Sequence, residues 1–219
     1  MPIPLLPPND ATTPFPSVEQ ALHEPNGLLM AGGSLRPERL LAAYRRGIFP
    51  WYSAGEPVLW WSPDPRCILW PRNLRVSRSL EKAIRNRGFE VRRNTAFREV
   101  VERCGASRGP GQGTWILPEM IDVYCQMHEL GYAHSVECWQ QDTLVGGLYG
   151  VRLDRVFFGE SMFSTVRDAS KVALAHLCRE TRPALIDCQL TSPHLLSLGA
   201  QNMPRREFMT LLRKYVRCT

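Results

Sequence analysis

The chain has 219 residues, 44% of them apolar and 22% charged, with a formal charge of +6. That is enough apolar material for one main domain with a small appendage, and no run approaches the ~18 apolar residues of a membrane span. Seven cysteines, at 67, 104, 125, 138, 178, 188 and 218, form no CxxC and are odd in number, which argues against a zinc site or a disulfide framework and for reduced thiols in a cytoplasm.

The start of the chain, MPIPLLPPND, has no basic n-region and no long apolar stretch, so it reads as an extended arm and not as a signal peptide. Ser17 and Gln20 form a capping-box pattern for a short helix. GLLMAGG, 27 to 33, is expected as an apolar turn segment. A helix follows with Pro37 at its start, Leu40, Leu41 and Tyr44 on one face and Gly47 as its stop. PVLWWSPDPR, 57 to 66, reads as a rigid aromatic loop, and a domain boundary is placed near 70. This divides the chain into a small N-terminal domain, 1–70, and a larger one, 71–219.

Beyond the boundary, helical patterns near 78–87 and 95–104 flank a strand at FEVRR. A helix at 117–130 ends at Gly131. Strand patterns at 133–139, 144–153 and 155–163, separated by short Asp-containing turns, predict an antiparallel meander. A helix at about 167–181, a strand at ALIDCQL (184–190) and a last helix near 205–216 complete the pattern. The class is α+β, with a central, mostly antiparallel sheet.

Charge is concentrated. Between Arg66 and Arg108 lie twelve Lys/Arg and four Glu, a local excess of +8, so the rest of the chain sums to −2. Such a segment suits a polyanion, and within it Arg75, Arg78, Lys82 and Arg85 are the candidate phosphate contacts. A solvated helical face, with arginine stems lying on apolar surface, is the competing explanation.

Two apolar strands carry acids. In LIDCQ, Asp187 and Gln189 are two apart and share a face by strand alternation. In FFGESMF, Glu160 is the acid; alternation puts Phe158, Glu160 and Met162 on one face and Phe157, Gly159 and Ser161 on the other. Buried acids are costly unless paired, so in-line acids on two strands point to one pocket with apolar walls and a few placed polar groups. There is no GxSxG, HExxH, P-loop or GxGxxG, so neither a metal nor a cofactor is expected.

GLLMAGGSLRPERLLAAYRRGIFPWY, LWWSPDPR, TWI (114–116), HSVECW, LVGGLYG, FFGESMFS, DASKVAL, LIDCQ and HLLSLGA, in this order, resemble the leucyl/phenylalanyl-tRNA–protein transferases of bacteria over roughly residues 15–215. The resemblance implies a C-terminal domain like the GNAT acetyltransferase fold. It implies transfer of Leu or Phe, and less well Met, from aminoacyl-tRNA to the N-terminal Arg or Lys of a protein, marking it for N-end rule degradation. By resemblance, Asp187 and Gln189 are catalytic, with Asp187 polarising Gln189 or else binding the acceptor's cation. Glu160 binds the α-amine or the terminal ribose, Trp115 stacks on the terminal adenine, and Leu148, Phe157, Met162 and Ile186 wall the side-chain pocket. A monomer away from membranes is expected. Ser34 and Thr165 depart from the family's usual acid and arginine.

Overall fold

The computed structural model describes residues 3–106 and 116–217. Its N-terminal part is a small sheet. β1 (Leu5–Leu6) runs parallel to β2 (Leu28–Gly32); α1 (Pro37–Tyr44) follows; β3 (Phe49–Pro50) and β4 (Leu59–Trp61) complete the order β1-β2-β4-β3. Pro37 opens α1, where its missing N–H costs nothing, and Gly47 turns the chain away at φ +70°. Ser17 caps a single 3-10 turn, Val18–Gln20.

Two expectations change here. Leu28–Gly32 is a strand and not a turn. The 57–66 stretch is not all loop: it holds β4 and the start of β5 (Arg66–Leu69). A short buried strand is apolar throughout, so its pattern does not separate it from an apolar turn. The prolines at 57, 63 and 65 flank the paired residues, where a lost N–H breaks no ladder.

The larger part follows as α2 (Arg78–Asn86), β6 (Glu90–Arg93), α3 (Phe97–Ala106), α4 (Pro118–Glu129), β7 (Ala133–Gln140), β8 (Thr143–Leu153), β9 (Val156–Ser164), α5 (Ala169–His176), β10 (Leu185–Gln189), α6 (Pro193–Ser197), β11 (Gln201–Met203) and α7 (Arg205–Tyr215). Its sheet has the order β11-β5-β10-β9-β8-β7-β6. All neighbours are antiparallel except β9 and β10, which α5 connects as a crossover, so the class is α+β with a mostly antiparallel sheet. β5, on the N-terminal side of residue 70, lies inside this large sheet. Gln141 and Asp142, both at positive φ, form the tight turn between β7 and β8. The helix expected to 181 ends at His176 and continues as one π turn, Leu177–Thr181; α6 and β11 had no counterpart in the pattern.

One core cluster runs through both sheets, joining Leu29, Met30 and Trp60 to Tyr44, Tyr124, Tyr149, Phe158 and Phe208. The opposite face of the large sheet carries a second cluster, in which Leu174 and Leu177 cover Leu148, Phe157 and Ile186. The site lies where β9 and β10 let one face communicate with the other.

Candidate active site

β9 and β10 stay in parallel register only as far as Phe158 and Asp187. Each then becomes irregular. Against β8, Tyr149 pairs with Ser161 and Gly150 with Gly159, so Glu160 is the extra residue of a bulge. Against β5, Asp187 pairs with Ile68 and Gln189 with Cys67, so Cys188 is extra, and Gln189 takes φ +61°. A bulge re-aims the side chains beyond it. The bulge at 160 overturns the alternation expected for this strand: Phe157 and Met162 belong to one apolar cluster, Phe158 and Phe163 to the other.

Glu160 and Gln189 meet across the gap. Gln189 Nε2 donates to Glu160 Oε1 at 2.8 Å; the Tyr44 hydroxyl donates to the same oxygen at 2.7 Å and the Tyr124 hydroxyl to Oε2 at 2.9 Å. The two hydroxyls are themselves 2.6 Å apart. α1 delivers Tyr44 and α4 delivers Tyr124, so the cluster joins the small sheet's helix to the large sheet. Burial pushes the Glu160 carboxyl up to about 7, against the hydrogen bonds from Tyr44, Tyr124 and Gln189 that pull it down. Proton inventory gives the same direction. Three contacts link the carboxyl and the two hydroxyls, yet two hydroxyls supply only two hydrogens. The protonated form of Glu160 supplies the third by donating to one of the two hydroxyls, and the ionised form, also populated near neutral pH for a group at about 7, is the one that can accept a proton.

Asp187 has a different neighbourhood from the expected one. Its carboxylate is wholly buried and lies in the fork of Arg66: Nε to Oδ1 at 2.8 Å and Nη2 to Oδ2 at 2.7 Å. Arg66, equally buried, also donates through Nη1 to Gly47 O at 3.0 Å and lies over Phe49 and Phe208. Asp187 Oδ1 accepts the backbone N–H of Gln189 at 3.0 Å. Its charge is thus spent on Arg66 and on holding the left-handed turn at Gln189. The group that polarises the Gln189 amide is Glu160. Because Nε2 faces that acceptor, Oε1 of Gln189 is left as an acceptor toward the pocket.

Leu148, Phe157, Met162 and Ile186 line one cavity of about 240 Å³, with Glu160 and Gln189 at its polar end. A second cavity, about 180 Å³, lies on the other side of the same pair and is lined by Phe49, Pro50, Trp51 and Leu190. Trp51 is 39% exposed, and its ring lies 5.5 Å from that of Trp61. Trp60, by contrast, is core, its Nε1 donating to Gly32 O. Trp115 lies outside the described residues. Arg75, Arg78, Lys82 and Arg85 are exposed on α2 and the turn before it, and no ion pair among the described residues includes them. Glu137, on β7, is structural: it accepts from Thr95 N and Ala96 N at the start of α3, and those bonds with Ser135 outweigh burial and hold its carboxyl below the usual range.

Tyr44, Tyr124, Arg66 and Trp51 were not among the site residues expected from sequence, Tyr44 having been read only as part of a helix's apolar face. Only Arg66 left a signal there, a lone cation opening the apolar run RCIL, complementary to the lone acid of LIDCQ.

By fold and site, this is an α+β chain with an apolar-walled cavity beside a buried acid–amide pair. The family model of leucyl/phenylalanyl-tRNA protein transferase matches residues 68–213, and that of its N-terminal domain matches residues 33–64. A leucyl/phenylalanyl-tRNA–protein transferase of Azoarcus sp. (strain BH72) is 65% identical, the alignment covering 92% of this chain and 87% of that one. One of Nitrosomonas europaea is 55% identical over 92% and 87% of the two chains. A solved GCN5-related N-acetyltransferase from Kribbella flavida superposes with a TM-score of 0.39 at 12% identity, covering 75% of this chain and 60% of that one. The chain belongs to the leucyl/phenylalanyl-tRNA–protein transferase family.

Proposed function

We propose that this protein transfers Leu or Phe, and less well Met, from aminoacyl-tRNA to the N-terminal Arg or Lys of an acceptor protein, making a peptide bond that marks the acceptor for N-end rule degradation. It does so in the cytoplasm as a monomer; no helix among the described residues is long and apolar enough to cross a membrane. The observation that carries this reading, beside the family, is the Glu160–Gln189 pair standing between two cavities of different character.

The aminoacyl side chain enters the cavity of Leu148, Phe157, Met162 and Ile186. Its shape selects weakly, since one methylene changes discrimination by only about 1–3 kcal/mol, and Met162 adapts to both Leu and Phe. The terminal adenosine lies in the second cavity against Trp51; by its family motif Trp115 is the other candidate to stack on it. The ester carbonyl then sits over the acid–amide pair.

The acceptor arrives as an ammonium and attacks as an amine. Oε1 of Gln189 orients it, and Glu160 takes its proton, with a carboxyl of about 7 suited to neutral pH. A C–N bond forms and the C–O bond to the ribose breaks. Of the two protons lost by the ammonium, one ends on the ribose oxygen by way of Glu160 and one in solvent. Asp187 acts through Gln189 as a positioning residue. Arg75, Arg78, Lys82 and Arg85 hold tRNA phosphates without reading sequence.

The test is an assay with purified protein, charged Leu-tRNA and a peptide beginning with Arg, run beside acetyl-CoA and the same peptide. Formation of the Leu-Arg peptide supports the reading; acetylation alone overturns it.

A further inference from the structure

The opposite end of the parallel strand pair carries a large cavity, about 690 Å³, that the reaction does not use. Four arginines line it: Arg72 from the turn after β5, Arg155 at the start of β9, and Arg179 and Arg182 from the turn before β10. No acid lines it. Among the described residues only Arg179 is ion-paired, with Glu81 of α2 at 3.0 Å, while Arg182 donates to Arg179 O. Arg72 and Arg155 are in no ion pair among the described residues; instead each guanidinium lies over a ring of the wall, Arg72 on Trp70 at 5.8 Å and Arg155 on Tyr215 at 5.3 Å. Aromatic support fixes an arginine's plane without neutralising it. With Arg179 neutralised by Glu81, the three other cations around this concavity still repel one another, and a bound anion relieves that. The open shape and the absence of a buried polar anchor suit a phosphodiester at the surface better than an engulfed small molecule.

Position narrows the source. Arg72 continues directly into the unpaired row Arg75, Arg78, Lys82 and Arg85, and Glu81 of the same helix holds Arg179. Five residues of extended chain separate Ala184, in this cavity, from Gln189, which is about 16 Å at ~3.3 Å per residue. A stacked strand covers that distance in about five nucleotides at ~3.4 Å each. We infer that the cavity of Arg72, Arg155, Arg179 and Arg182 holds a backbone phosphate of the donor tRNA, about five nucleotides from the esterified ribose. This extends the proposed transfer reaction and rests on it for the identity of the donor.

The test uses Arg72→Gln/Arg155→Gln in the full chain, two exposed positions whose loss removes charge and no ion pair. Binding of uncharged tRNA is measured against salt, and transfer is measured from both Leu-tRNA and a minimal donor, adenosine esterified with Phe at its 3′ position. Expected is a loss of tRNA affinity of about tenfold at 0.15 M salt, with a shallower salt slope by about 0.7–0.9 per phosphate contact removed. The loss in kcat/KM with Leu-tRNA should exceed that with the minimal donor by a similar factor. Unchanged tRNA affinity and slope would overturn the assignment, as would equal losses with both donors. If the variant loses binding of inorganic pyrophosphate while keeping tRNA affinity, the cavity takes a free anion and the tRNA assignment is likewise overturned. Because tRNA binding is read directly, absence of transfer in the wild-type chain would sink the proposed function without deciding this question.

Discussion

The 2.8 Å hydrogen bond from Gln189 Nε2 to Glu160 Oε1 joins two strands where their ladder has stopped. Each residue reaches the other because a bulge in its own strand re-aims it, and together they form the wall between the two cavities. Four expectations follow from this arrangement and its surroundings.

Glu160 makes the unliganded protein's stability pH-dependent. Its folded carboxyl is raised from 4.5 to about 7, so the folded state holds the extra proton. Its contribution is therefore fully present below about pH 4.5 and is lost as pH rises through 7, up to roughly 3 kcal/mol. Urea midpoints at pH 5 and pH 8 should converge in Glu160→Gln, while transfer falls sharply. A variant that keeps the wild-type pH slope would mean another group sets it.

Breaking the Arg66–Asp187 pair should damage folding more than removing Gln189 does. Asp187→Ala leaves a buried guanidinium unpaired, at a cost of about 3–5 kcal/mol. Gln189→Ala leaves the ion pair intact, so its thermal midpoint should stay near wild type while turnover drops. Equal melting temperatures for the two variants would contradict the buried fork; near-normal turnover in Gln189→Ala would remove the amide from the chemistry.

The row on α2 and the turn before it should govern salt dependence for every donor tRNA. Neutralising Arg75, Arg78, Lys82 and Arg85 together should flatten the slope of log affinity on log salt by about 0.9 per lost phosphate contact. Preference for Leu over Val should survive, because the cavity proposed to take the side chain is formed by other residues. A changed preference would tie the two sites together.

Trp51 and Trp115 should both be tested with a donor amide, in which the ester oxygen is replaced by nitrogen so that it occupies the site without leaving. Trp51→Ala should weaken its inhibition by the stacking energy, about 1–3 kcal/mol. Equal inhibition in wild type and Trp51→Ala, with a loss in Trp115→Ala, would move the adenine from the first ring to the second.

The sequence alone determined the α+β class, the β7–β8–β9 meander and the apolar character of the cavity walled by Leu148, Phe157, Met162 and Ile186. These follow from short-range periodicity, and each period is legible within a dozen residues. It also marked Glu160, Asp187 and Gln189 as anomalous, because a polar residue in an apolar strand demands a partner whatever the partner is. Which partner was a tertiary matter. Strand alternation assumes an unbroken ladder, and two bulges broke it, turning Gln189 toward Glu160 and leaving Asp187 to Arg66, 121 positions away. Tyr44 and Tyr124 gave no sign, since an aromatic at helical spacing looks like core; only the meeting of α1 and α4 over β9 brings their hydroxyls to one carboxylate. Periodicity records which face of an element is buried. It does not record what stands opposite, because that is set by long-range packing among elements whose order in space differs from their order in the chain.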